Sequence, residues 1–348
     1  MTQPNLSVVP PARHPNTMRA VVQDRYGRPE DVLRLAEVDA PTMGAQDVMV
    51  HVVASTVTSG DRRMSAADYP GPLWFFGRLY SGVFRPRTAT LGNEFAGVVV
   101  AVGDAVTQFA VGDNAFGFAG TGAHADLLVV REDGCIAPKP EHLDFAEAAS
   151  TTFGGMTAQT FLVDLAGVSV GQKVCVIGAS GGVGVMAVQL AKHLGTHVTG
   201  VCSTANVDMV RSLGADDVID YKCDRLADRK GAFDVVFDAA GVQDFGADMR
   251  GILADGGRFF SVATSAANLW GALTSSKQCS LGFASETPED FQRLRTLLQG
   301  GALRPVIGRR FALDDIAAAH AYVGTGRKVG SCVVDVNAAP AAGSEVAA

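Results

Sequence analysis

The sequence predicts an α/β protein in which a doubly wound parallel sheet is inserted into a β-rich domain built as a partly open barrel. Three observations carry that prediction. At 348 residues the chain exceeds one ordinary core, and about two domains is the expectation. From residue 174 to residue 284, strand-like and helix-like runs alternate in the manner of repeated βαβ units. Before residue 144 the apolar runs are short and are punctuated by Gly and Asp turns, as in small barrels.

Taken in chain order, residues 1–17 carry four prolines and no apolar stretch of the signal-peptide kind, so a flexible tail is expected there. Two strand-like pieces follow, at 18–27 and 32–35, and residues 47–53 alternate polar with apolar as a strand does. Residues 95–102 form a longer β-branched run, and turn clusters fall at 103–104, 111–113 and 120–122. Helical periodicity begins at 144 and runs to 165. After the alternating segment come a helix at 289–299, a strand at 305–311, a helix at 313–323 and a strand at 331–336. That last part is too small to fold alone and is expected to complete the first domain. The predicted boundaries are therefore 18–144 with 285–337 for one domain and 145–284 for the other, with 338–348 a second flexible tail.

Composition narrows the function. The chain is 47% hydrophobic and 19% charged, with a formal charge of −7, which gives no general attraction for nucleic acid or anionic lipid. It has no basic run and no aromatic-basic stripe, so nucleic-acid binding is not expected. No apolar run approaches the ~18 residues that a membrane span needs, so membrane insertion is not expected. Six scattered cysteines without a C-x-x-C fit a reducing cytoplasm.

One short run carries most of the chemistry. Residues 174–184 read VCVIGASGGVG: a β-branched strand that breaks into Gly178, Gly181 and Gly184 and then opens a helix. The unpaired N–H groups and positive dipole at such a helix start hold a pyrophosphate, and the missing side chains let it approach the backbone. The spacing G-x-x-G-x-x-G is a variant of the dinucleotide fingerprint, and its βαβ setting gives it weight.

Four stretches together resemble a known family: MRAVVQDRYGRPEDVLRL at 18–35, LGNEFAGVVVAVGDAVTQFAVGDNAFGF at 91–118, TTFGGMTAQTFL at 151–162 leading into 174–195, and RSLGADDVIDY at 211–221. They are similar to the medium-chain dehydrogenase/reductases, specifically the zinc-independent, quinone oxidoreductase-like branch, over residues 18–336. The resemblance implies a Rossmann domain inserted into a GroES-like catalytic domain. Zinc-dependent members hold their catalytic metal with a cysteine, a histidine and a further cysteine or acid. Thr58, Asn93 and Phe153 stand at those positions, and a hydroxyl, an amide and a phenyl ring cannot make an N/S set for zinc. The four-cysteine structural zinc lobe has no counterpart either. No metal is expected.

The resemblance also implies the cofactor contacts. Gly181, Gly182, Val183 and Gly184 would meet the pyrophosphate, and Thr157 the nicotinamide amide or ribose. Gly241, Val262 and Ala263 would line the nicotinamide half, with Phe283 and Lys328 closing the far side. NAD-preferring enzymes end the second strand of this unit in Asp or Glu. Here that place reads Cys202, Ser203, Thr204, and small hydroxyls accept a 2′-phosphate without repulsion. Tyr221 matches a tyrosine that relatives set near that phosphate, so NADPH is the expected cofactor. Where many relatives follow Ser-Thr with a lysine, this chain has Asn206, Val207 and Asp208, which leaves Arg225 and Lys222 to compensate.

Without a metal, an acceptor already activated by conjugation is the natural partner for hydride. Thr58 and Asp61 in VTSGDRR (57–63) are expected to shape the catalytic loop, and Tyr69 to orient the acceptor or supply a proton. The aromatic stretch 69–87 suits either a flat acceptor or an amphipathic helix or loop packed over the cleft or against a second subunit. The expectation is a cytoplasmic, homodimeric NADPH-dependent oxidoreductase acting on a quinone or related enone. The rivals are an enoyl or 2-alkenal reductase acting on the C=C bond, and an NADPH-binding regulatory protein with little catalysis.

Overall fold

The computed structural model describes residues 16–69, 74–262, 265–274, 279–281 and 285–337. Most of both expected tails, together with Ala263 and Phe283, lies outside these residues.

Six parallel strands form the first sheet, in the spatial order Asp217–Asp220, His197–Cys202, Lys173–Ile177, Phe233–Asp238, Leu253–Ser261 and Cys279–Leu281. Numbered by sequence this is 3-2-1-4-5-6, the doubly wound order. Its strands are apolar runs because both faces are covered; Val174, Cys175 and Val176 are fully buried. The winding reverses between Lys173–Ile177 and Phe233–Asp238, and that switch point opens a crevice at the carboxyl ends of the strands.

The second sheet runs Ile307–Ala312, Ser331–Asp335, Asp47–Val57, Glu94–Val102, Asn114–Phe118 and Ile136–Pro138, with Leu127–Arg131 also paired to Asp47–Val57. It is an open sheet; the two ends of this path do not meet. The strands at 307–312 and 331–335 come from beyond the parallel sheet, so the chain leaves this sheet, builds the other and returns. A separate antiparallel pair joins Thr17–Val22 to Arg34–Asp39. Among the described residues no helix is long and apolar enough to cross a membrane.

Two local departures from the sequence reading matter for the site. The helical stretch expected over 144–165 breaks into Phe145–Ala149, Thr152–Gln159 and a π-helical turn, Thr160–Leu165. The break falls on Ser150-Thr151-Thr152, where the Ser150 and Thr151 hydroxyls donate back to the carbonyls of Glu147 and Ala148 and so compete with the helix. A fresh helix N-terminus therefore faces the second sheet. The segment Ser59–Ala66 around Asp61 is also helical, which the sequence reading did not include, and Trp74–Ser81 takes the helical form that the reading of the aromatic stretch allowed.

Candidate active site

The strand Lys173–Ile177 ends at Gly178, whose φ of +76° suits glycine, and the helix Gly182–His193 begins just beyond, with Gly181 as its N-cap. No side chain caps that helix, so its first N–H groups stay open to a ligand. A Cβ on Gly184 would sit 2.0 Å from the Gly178 carbonyl oxygen, so this glycine sets how closely the helix lies on the strand. On its other side the helix packs under Thr152–Gln159, where a Cβ on Gly154 would lie 2.4 Å from Gly182 O. Covered on both sides, the helix is buried without interruption from Gly184 to Ala191.

Over this N-terminus lies Lys328. A Cβ on Gly182 would come 2.7 Å from its Nζ, which donates to Gly330 O at 2.9 Å. Burial pushes the Lys328 ammonium below the ordinary lysine range, while the charge of Glu94 works the other way. A glycine cradle that a Cβ would fill, beside a half-buried cation, fits the pyrophosphate of a dinucleotide.

From here a cleft of about 720 Å³ runs between the two sheets. At one end of it, beyond the strands Asp217–Asp220 and His197–Cys202, stand Ser203, Asn206, Tyr221 and Lys222. Asn206 Nδ2 donates to Ser180 Oγ at 3.1 Å and to Ser203 Oγ at 3.2 Å. Thr204 turns away: its hydroxyl and backbone N–H serve the Asp220 carboxylate, and the hydroxyl is the leading reason that this carboxyl sits below its ordinary pKa.

At the other end Thr56, Thr58, Ser59, Glu94 and Phe153 form the wall. Thr58 Oγ1 donates to Asp61 Oδ2 at 2.6 Å and accepts from Asp61 N at 3.1 Å, a capping box that starts the helix Ser59–Ala66. Asp61 Oδ1 also accepts from Gly92 N at 3.2 Å. The Thr58 hydroxyl proton is thus engaged, and the group faces the cleft as an acceptor. A Cβ on Gly60 would lie 3.3 Å from Thr58 Oγ1 and 3.7 Å from Asn93 Nδ2, so two of the three positions compared with zinc ligands do meet in space. Among the described residues no group of three or more His, Cys, Asp or Glu is arranged to hold a metal.

Glu94 is the residue that sequence reasoning missed. It is buried, and it accepts from Thr152 Oγ1 at 2.6 Å, from Phe153 N at 2.5 Å and from Thr56 Oγ1. In effect it caps the helix Thr152–Gln159, whose own N-cap Thr151 makes no side-chain capping bond to the helix N–H groups. Burial pushes its carboxyl above the ordinary range, against the pull of these three donors. The one available signal was a lone acid at the head of the apolar run 95–100.

Of the residues singled out from sequence, the cleft wall gathers Thr58, Gly181, Gly182, Val183, Ser203, Tyr221 and Lys328. Asp61 and Thr157 are buried behind it, the latter donating to Phe153 O at 2.7 Å. Gly184 spaces helix from strand. Gly241 and Val262 flank the wall, their N–H groups held by Asp238 Oδ1 at 2.9 Å and Asp238 O at 3.2 Å. Tyr69 packs its ring against Gly77, outside the wall. Of the aromatic stretch, Trp74, Phe75 and Phe84 likewise stand apart from the wall, 52%, 64% and 93% exposed.

Comparison with known proteins covers the same ground. A family model described as alcohol dehydrogenase GroES-like domain matches residues 44–141, and one described as zinc-binding dehydrogenase matches 213–334, a range that holds none of Thr58, Asn93 and Phe153. A 2-methylene-furan-3-one reductase of Solanum lycopersicum is 31% identical over 339 residues, covering 92% of this chain and 79% of that protein. A chloroplastic NADPH-dependent alkenal/one oxidoreductase of Arabidopsis thaliana is 30% identical over 346 residues, covering 94% and 82%. Among solved structures, the quinone oxidoreductase from Coxiella burnetii superposes with a TM-score of 0.78 at 27% identity, covering 92% of this chain and 100% of that one.

Proposed function

Because the chain belongs to the medium-chain dehydrogenase/reductase superfamily, in its quinone oxidoreductase-like branch, we propose that it is an NADPH-dependent, zinc-independent reductase of conjugated acceptors, quinones or α,β-unsaturated carbonyls. The observation that carries this reading is the single cleft joining the glycine cradle at Gly181–Val183 to the wall at Thr56, Thr58 and Phe153. The nicotinamide, when bound, supplies the hydride. The protein's part is to hold the pyrophosphate at the helix start with Lys328, to present the acceptor along the apolar side of the cleft, and to keep water from the reacting pair. Thr58 serves as an acceptor that orients the substrate, and Asp61 fixes Thr58. The proton that completes the reduction comes from solvent at the cleft mouth, since Tyr69 stands outside the wall.

We favour reduction of the C=C bond because an alkenal/one oxidoreductase and a methylene-furanone reductase are among the relatives, covering 94% and 92% of this chain, whereas a quinone-oxidoreductase homologue at 34% identity covers 59%. We further propose that residues 145–284 hold the cofactor and that 18–144 with 285–337 bind the acceptor. The protein works in the cytoplasm, where its six free cysteines stay reduced, as a homodimer paired through the sheet edge at Cys279–Leu281.

The test is absorbance at 340 nm on chelator-treated protein, with NADPH and NADH against a benzoquinone, a naphthoquinone and an aliphatic enone. Loss of NADPH absorbance with the enone, giving the saturated ketone, is expected. Turnover of quinones alone would move the reading to quinone reduction, and tight NADPH binding without turnover would move it to a regulatory role.

A further inference from the structure

The structure assigns the recognition of a 2′-phosphate to Lys222, an assignment that rests on the NADPH reading above. The strands Asp217–Asp220 and His197–Cys202 lie side by side with Asp220 opposite Cys202, so the two loops that follow leave the sheet together. Between them they frame the adenosine end of the cleft with Ser203, Asn206, Tyr221 and Lys222.

The charges in that frame decide what it accepts. Asp220, the nearest carboxylate in sequence, is taken up by Thr204 and by the Lys222 N–H at 2.9 Å, and it is not part of the wall. The ribose hydroxyls of a plain NAD would therefore find no acid to bind. On one side the frame is neutral, since Asn206 is fastened between the hydroxyls of Ser180 and Ser203. On the other side Tyr221 is 56% exposed, and Lys222 Nζ sits 5.4 Å from its ring centroid. The remaining cations of the wall, Arg327 and Lys328, belong to the chain return at the pyrophosphate end. Among the described residues of the wall, Lys222 is thus the cation placed to meet a phosphate on the adenosine ribose, with Ser203 and Asn206 as its neutral partners.

Removing a charge-assisted contact of this kind costs about 10- to 100-fold in affinity. The experiment is calorimetric titration with 2′,5′-ADP and with 5′-ADP, which carry the recognition groups and no reacting ring. The wild type is expected to prefer 2′,5′-ADP at least tenfold. Lys222→Ala should remove most of that preference while leaving 5′-ADP binding unchanged, and Lys222→Arg should keep it. Because Lys222 is exposed, both variants should fold; thermal unfolding checks this. A preference that survives intact in Lys222→Ala would overturn the assignment and leave the NADPH reading standing. A wild type that binds the two probes equally, or binds neither, would overturn both.

Discussion

Gly184 offers the sharpest test of how this sequence builds its cofactor cradle. A methyl group added there would lie 2.0 Å from Gly178 O and 2.8 Å from both Gly178 C and Ala179 Cα, all backbone atoms that cannot rotate away. Helix and strand must part by about 1 Å to reach even a 3.0 Å contact. Overpacking of this kind costs about 1–3 kcal/mol. At about 2–4 °C per kcal/mol for a domain of this size, Gly184→Ala should lower Tm by about 2–12 °C. The same shift carries the helix start off the pyrophosphate, so dinucleotide affinity falls too. Gly181→Ala is the control: its Cβ meets only Gly178 O, at an ordinary 3.4 Å, and the residue lines the cleft. It should leave Tm within about 1 °C, because a surface change without a packing conflict stays near ±0.5 kcal/mol. Its methyl group should still crowd the cofactor. Scanning calorimetry and NADPH titration on the pair measure both effects. Equal Tm values for wild type and Gly184→Ala would refute the close-approach argument.

Three further outcomes follow from other parts of the fold. Lys328→Met removes the ammonium above Gly182 and should weaken NADPH and NADH alike, by about 10- to 100-fold in calorimetric Kd, because the pyrophosphate is common to both. His320 is fully buried beside His124, with no partner for either ring nitrogen among the described residues, and burial, His124 and Arg62 hold its pKa down at about 3 against an ordinary 6.5. Its folded pKa is depressed, so its contribution to stability is intact above pH 6.5 and is lost as pH falls from there toward 3, at about 1.4 kcal/mol per pH unit; Tm followed against pH should flatten over that window in His320→Leu, and an unchanged slope would count against it. Trp74→Ala should leave KM for naphthoquinones and for small enones equally unaffected, because Trp74 stands outside the cleft wall; a selective rise for the larger acceptor would place this helix in the acceptor site.

How much of this was legible in the sequence depends on how local the signal was. The parallel sheet announced itself because each strand, helix start and glycine turn sits within a few residues of its cause, as in residues 174–184. The inserted order was legible from size alone, since 285–337 is too short to hold a core. The break at Ser150-Thr151-Thr152 was not read, because whether such hydroxyls stay in a helix or end it depends on what faces them. Tyr69 and the aromatic stretch after it could be placed on the cleft or beside it by sequence, and only the packing of Tyr69 against Gly77 separates the two. The choice between Arg225 and Lys222 was open for a similar reason. It turned on where the two loops leave the sheet, and Lys222 is the one in the wall.

Glu94 was hidden for a deeper reason: its partners are far away in the chain. Thr56 is 38 residues before it and Thr152 is 58 after it, so no window of sequence contains the contact. Yet this carboxylate ties the head of a strand in one sheet to the N-terminus of Thr152–Gln159, and that helix rests on the glycine helix of the other. Together with the Gly330 N–H to Ser180 O bond and the Ser331 hydroxyl on Ser150 O, this buried, multiply bonded group joins the proposed acceptor wall to the proposed pyrophosphate cradle. Hydride transfer tolerates little error in that relation, because misplacement by about 1 Å can cost on the order of 100-fold in rate. The cost of burying this acid is offset by its three hydrogen bonds, and those bonds fix where the strand head meets the helix N-terminus.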